Sequence, residues 1–158
     1  MKRTKRVYRP GPEEDLHAEA SSLRYIESSA LVAAILERDA EALSQIREIG
    51  RRVASALTFT ESARAVFRAR VTRRITPAQE RAALRELRSL EAHSSVLAVT
   101  GDVLTRAGRP FPVEPIRTLD AIHLATIESL GESPQLVTVV TRDVRVARNA
   151  RALGYSVV

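Results

Sequence analysis

Residues 136–140 read LVTVV, an aliphatic and β-branched run broken only by Thr138. A strand with one wet face alternates apolar and polar side chains. A run without alternation needs cover on both faces, the condition of a strand inside a parallel sheet. LRYI at 23–26, VASAL at 53–57 and SSVLAV at 94–99 are further short runs of this kind, and YSVV at 155–158 fits an edge strand. Stretches with helical start and stop signals separate them. The alternation predicts an α/β domain of three layers, a central parallel sheet of about four to five strands flanked by helices. In such a sheet the ligand site lies outside the carboxyl ends of the strands, which says where to look for chemistry.

The helices are punctuated by recognisable caps. Ser28 or Ser29 suits the cap of a helix over 30–37, and Asp39 the cap of another running to Ile49, with Gly50 in the C′ position. Thr58 is expected to open a long arginine-rich helix reaching Arg74, because TFTE at 58–61 matches the S/T-x-x-E capping box. Thr76-Pro77 starts a helix through Leu90, and Thr100 caps a short one ending near Ala107. GRPFPVEP at 108–115 reads as a loop. Thr118 begins a helix stopped by Gly131, and a last helix over 142–153 is closed by Gly154.

A chain of 158 residues suits one domain. Residues 1–22 stand apart: five basic residues, the Pro10-Gly11-Pro12 breaker, then four acids, with few large apolar side chains. They read as a flexible charged extension ahead of a domain over 23–158. Lys+Arg 25 against Asp+Glu 19 gives +6, and the pI is about 10.6, a balance that favours an anionic partner. Among the basic residues only Lys2 and Lys5 are lysines. The absence of cysteine excludes disulfides, thiol nucleophiles and cysteine-based metal centres. Nothing approaches the ~18 consecutive apolar residues of a membrane span, so a soluble, cytoplasmic protein is expected.

Four acids stand where the sheet rule points. Glu27 follows the first strand, Glu61 and Asp120 lie near helix starts in ALTFTESAR and RTLDAIHLAT, and Asp143 follows the fourth strand in VTVVTRD. Carboxylates a few ångströms apart repel by roughly 4 kcal/mol per pair at an effective dielectric of 20, so their convergence demands a cation or a shared proton. Mg²⁺, with Mn²⁺ as a substitute, is the natural cation for such hard oxygen donors. Each acid also has a purely structural reading: Glu61 in the capping box, Asp120 and Asp143 at helix N-terminal dipoles, Glu27 paired with a surface arginine. Periodicity alone leaves the two readings open.

At these residues the sequence resembles the PIN-domain nucleases, most closely the toxins of the VapBC type. YIESSAL is similar to the family's opening strand-to-helix element, SALTFTESARAVFR to its second, RTLDAIHLAT to its third and most specific, and VVTRDVRVARNARALGYSVV to its fourth. All four occur in family order across about 23–158. The resemblance implies a PIN-like fold and an Mg²⁺-dependent endoribonuclease that cleaves RNA and is held inactive by a cognate antitoxin, commonly as a homodimer. It implies Glu27, Glu61, Asp120 and Asp143 as catalytic, metal-binding acids. One position departs from the pattern: Glu27 stands where the family has Asp, and the extra methylene carries its carboxylate outward by roughly one C–C bond, on a scale to which reaction geometry is sensitive.

Other residues qualify as support. Ser28, with Ser29, can orient the first carboxylate, and Thr141 can do so from the fourth strand; as a helix cap and a strand-end residue they need no such role. Arg64 and Arg68 lie three and seven residues after Glu61 on one helical face, fit for RNA phosphates, with an Arg64–Glu61 ion pair as the plainer reading. Arg117 precedes the third acid and is a candidate phosphate or partner contact. His123 reads as a packed helix-face residue among Ile122, Leu124 and Ala125. Few aromatics and no tryptophan argue against base stacking, leaving arginine–phosphate contacts and RNA shape. Two alternatives stand beside the toxin: a catalytically weakened PIN-like module that binds RNA or antitoxin, and a PIN-domain nuclease outside toxin–antitoxin pairs.

Overall fold

A computed structural model describes residues 22–158; the expected N-terminal extension lies outside the described residues except for Ser22. Strands β1 (Leu23–Ile26), β2 (Arg51–Ser55), β3 (Ser95–Leu97), β4 (Val137–Val140) and β5 (Ser156–Val157) form one sheet in the order β3-β2-β1-β4-β5. Every pairing is parallel, with Leu23 opposite both Arg51 and Val137. The intervening helices are α1 (Ser28–Leu36), α2 (Ala40–Arg47), α3 (Ala56–Val71), α4 (Pro77–Ala92), α5 (Gly101–Ala107), α6 (Thr118–Glu128) and α7 (Val144–Ala152). The runs of β1 and β4 fold as their lack of alternation requires, whereas β3, at the edge of the sheet, is exposed, with Val96 41% exposed.

Period-two alternation divides the sheet between two cores. Leu23, Tyr25, Val53, Val137 and Val139 pack on one face with α5, α6 and α7 through Val103, Leu124, Ile127 and Val146. Ile26, Ala54 and Val140 pack on the other with α1 to α4 through Leu31, Ile46, Phe59 and Leu87. Both faces are covered, which gives the three layers. Helix α6 is buried from Asp120 through Ile127, so its polar members Asp120, His123 and Thr126 lie inside the protein.

Asp39, Thr76 and Thr100 cap α2, α4 and α5 with their side-chain oxygens, Thr76 in a full capping box with Gln79. Gly50 takes φ +135, and a Cβ there would meet the Ser22 hydroxyl at 2.9 Å, so the turn into β2 requires glycine. The second strand-to-helix junction differs from the sequence expectation. Ser55 accepts from the Leu57 amide and starts α3 at Ala56, while the Thr58 hydroxyl donates to the Ile26 carbonyl at 3.1 Å. The TFTE capping box does not form, because the strand ends earlier and a buried hydrogen bond to β1 claims Thr58. Ahead of α6, Asn149 of α7 donates to and accepts from the backbone of Val113, each at 2.9 Å, which ties the proline-rich loop to the body. The first residue after that loop to matter chemically is Arg117.

Candidate active site

After β1, β2 and β3 the chain returns to the other side of β1 as β4, so the strand order reverses between β1 and β4. Open α/β sheets form their ligand crevices at such a reversal, beyond the carboxyl ends of the strands. Glu27 leaves β1 there, and Thr141 and Asp143 leave β4. The Glu27 amide still donates to Val140 at 3.0 Å, so the sheet itself fixes its backbone.

Glu27 is the N-cap of α1 and is 4% exposed. Its carboxylate accepts from the Ser28 hydroxyl at 2.7 Å, the Ser29 amide at 3.0 Å and the Thr141 hydroxyl at 2.8 Å, and also from the Ser29 hydroxyl. Thr141 in turn accepts from the Asp143 amide at 3.0 Å, and Ser29 from the Arg142 amide at 2.8 Å. A buried carboxylate needs donors, and here neutral hydroxyls from both strand ends supply them. Ser28, Ser29 and Thr141 all donate to the Glu27 carboxylate, and the alternative of a surface Glu27–arginine pair is not what the structure shows.

Glu61 lies in the second turn of α3 and turns inward to His123, whose Nε2 is 2.7 Å from its Oε2 and 3.7 Å from the Glu27 carboxylate. The other ring nitrogen lies 2.9 Å from the hydroxyl of the fully buried Tyr25. Burial alone would raise the pKa of Glu61, but the hydrogen bond and charge of His123, with help from Ser28 and Arg117, hold it below the usual glutamate range. The helix-face reading of His123 is correct for its packing, at 1% exposure, and omits its polar work. Glu27, Glu61 and His123 place one ligand atom each within 4.8 Å of one another.

The other two acids pair differently. Asp120, 7% exposed, receives the Arg117 guanidinium through two bonds of 2.8 and 3.1 Å, and the same guanidinium reaches Asp143 at 2.6 Å. Asp143 caps α7 through the amides of Arg145 and Val146, with the Arg145 guanidinium 3.9 Å away. Arg117, Asp120 and His123 follow at intervals of three on α6, so this helix links the Glu27–Glu61 pair to the Asp120–Asp143 pair. Arg64 and Arg68 remain exposed on α3 beside Phe67 and Val71, and Arg64 makes no ion pair with Glu61 among the described residues. Only the i+3 spacing from Asp120 hinted at His123; its partners come from two other elements.

The carboxylate oxygens are the donors that Mg²⁺ and Mn²⁺ take, whereas the imidazole of His123 is a nitrogen donor of the kind zinc takes. Four carboxylates against the one guanidinium bonded to them leave three negative charges without a full counter-charge, before His123 is counted. The residues present therefore fit a divalent cation. His123 itself is testable. The His123→Phe protein is expected to lose about 2 kcal/mol of stability in urea unfolding, because the Tyr25 hydroxyl and Glu61 lose a buried partner. The pH dependence follows from the lowered Glu61 pKa: its contribution is complete above the ordinary glutamate range and fades as pH falls through the lowered value, and the variant flattens that acid limb.

Comparison with known proteins adds the kinship. A family model of the PIN domain matches residues 24–152. Ribonuclease VapC46 of Mycobacterium tuberculosis is 39% identical over 136 residues, covering 85% of this chain and 95% of that protein. Among solved structures, Mycobacterium tuberculosis VapC20, described as a sarcin-ricin loop cleaving toxin, aligns with a TM-score of 0.59 at 16% identity over 84% of this chain and 95% of that one. VapBC-1 of nontypeable Haemophilus influenzae aligns with a TM-score of 0.54 at 17% identity, covering 86% and 96%. At those identities the structural likenesses speak to the fold.

Proposed function

From the premise that this chain belongs to the PIN-domain family, we propose that it is an Mg²⁺-dependent endoribonuclease, the toxin of a type II toxin–antitoxin pair acting in the cytoplasm. The observation that supports the reading is that Glu27 and Glu61, with His123, place ligand atoms within 4.8 Å of one another beyond the end of β1, while Arg117 joins Asp120 to Asp143. The kinship with a ribonuclease over most of both chains supports RNA as substrate. Among the described residues no helix is long and apolar enough to cross a membrane.

Glu27, Glu61, Asp120 and Asp143 would hold the cation. Bound there, it would supply Lewis-acid stabilisation of the phosphodiester's developing charge and a more acidic attacking water. The chain's own residues do the positioning. Ser28, Ser29 and Thr141 fix the Glu27 carboxylate, His123 holds Glu61 toward it, and the Arg145 and Val146 amides at the α7 N-terminus hold the Asp143 carboxylate in place. Arg64 and Arg68 offer exposed guanidinium groups to the RNA backbone, so binding is expected to weaken steeply with salt. A cognate antitoxin is the expected partner, and a homodimer the expected assembly, as in the family this chain resembles.

The test is cleavage of total cellular RNA by the purified protein with Mg²⁺, with Mn²⁺ or with EDTA. Discrete fragments with either metal and none with EDTA are expected. Intact RNA under all three conditions would remove the nuclease reading.

A further inference from the structure

The acidic site contains a cation of its own. Arg117 occupies the N-cap position of α6, where its side chain makes no cap hydrogen bond. Its guanidinium lies across Asp120 and Asp143, at 2.8 and 3.1 Å from the first and 2.6 Å from the second. Among the described residues these are its only side-chain hydrogen bonds. The two carboxylates it joins start different helices, one after the 108–115 loop and one after β4. Asp120 is buried, yet 59% of the Arg117 side chain stays exposed, so the guanidinium reaches in over the acids from solvent.

Lone pairs that accept from a guanidinium at these distances are not free for a metal ion, which needs carboxylate oxygens at about 2.0–2.1 Å in near-octahedral order. Bidentate guanidinium–carboxylate bonds are also among the stronger ones a protein makes. Building on the metal-site reading above, we propose that Arg117 is a resident counter-cation that occupies Asp120 and Asp143 and has to swing out before these acids bind a divalent metal. It is a positioning residue: without metal it holds two like charges together, and with metal its exposed stem lets it leave while the buried core of α6 stays closed. The contact predicted from sequence to be with RNA phosphate is thus made first with the protein's own acids, and the phosphate becomes available to Arg117 only after the exchange.

Calorimetric titration of the full chain with Mn²⁺ tests this, comparing the native protein with Arg117→Met, Arg117→Lys and Arg145→Met. If Arg117 occupies the pair about nine-tenths of the time, the competent fraction is about one-tenth, and Arg117→Met binds Mn²⁺ about tenfold tighter. Arg117→Lys, which keeps the charge without the two-pronged grip, falls between. Arg145→Met removes a charge 3.9 Å from Asp143 that lies beyond hydrogen-bond reach, and gains less. In the native protein, Mg²⁺ addition also speeds solvent exchange of the Arg117 Nε–H in ¹⁵N spectra. Unchanged or weaker Mn²⁺ binding by Arg117→Met, or an equal gain in Arg145→Met, overturns the exchange while leaving the metal site standing. Absence of Mn²⁺ binding by every protein overturns the metal site, and the exchange with it.

Discussion

The Asp120→Asn protein is expected to lose metal-dependent RNA cleavage by about 10²–10³-fold, the range associated with removing one preorganised electrostatic group from a reaction site. The substitution preserves shape, and α6 buries this position whichever residue is there, so the fold should survive. What changes is charge. Asp120 gives the site a full negative charge at 7% exposure, where burial strengthens its pull on a cation. It also gives Arg117 its two-pronged contact, and losing that contact should cost little stability because the arginine side chain is 59% exposed. Cleavage assays beside thermal unfolding separate the two effects. In cells, growth arrest on expression without antitoxin should be relieved by the same substitution. An Asp120→Asn protein that folds, cleaves and arrests growth as the native chain does would contradict the metal-site account.

Part of this arrangement was legible because its first requirements are local. The runs LRYI and LVTVV declare covered strands, Asp39, Thr76 and Thr100 declare helix starts, and Glu27 and Asp143 follow from asking what stands just beyond a strand. The errors arise where one local pattern satisfies two readings. TFTE fits a capping box, yet Ser55 starts the helix at Ala56 and the Ile26 carbonyl takes the Thr58 hydroxyl, which frees Glu61 to face His123. Nothing near position 58 in the sequence encodes that carbonyl. Likewise the bonds of His123 to Tyr25 and Glu61 span separations of 98 and 62 residues, and Arg117 reaches Asp143 across 26. The first two depend on α6 packing across the end of β1, and the third on β4 lying beside β1, neither of which strand propensity determines. Topology decides how the candidate acids are grouped: Glu27 with Glu61 around a histidine, Asp120 with Asp143 under an arginine.

That grouping bears on the one position that departs from the family pattern. Were Glu27 a defect in an otherwise working site, Glu27→Asp would raise cleavage. The structure supports the opposite expectation, a loss of about 10- to 100-fold, in line with the cost of misplacing a reacting group by about 1 Å. The glutamate carboxylate accepts from donors on two elements: Ser28 and Ser29 at the start of α1 and Thr141 beyond β4. Aspartate at the same backbone position would still cap α1, since a short carboxylate reaches the Ser29 amide well. It would draw the oxygens back by roughly 1.5 Å, one C–C bond, and the 2.8 Å bond to Thr141 would stretch past hydrogen-bond reach. Thr141 would then keep its bond from the Asp143 amide but lose its acceptor on Glu27, removing one side-chain link between the ends of β1 and β4. Rates for the native chain, Glu27→Asp and Thr141→Val decide the matter, because Thr141→Val removes the same link, together with the acceptor of the Asp143 amide, while leaving the glutamate in place. Similar losses in both variants would show a site built around the longer acid. Faster cleavage by Glu27→Asp would show that the native glutamate restrains the enzyme, and would move the balance toward a module that acts mainly by binding.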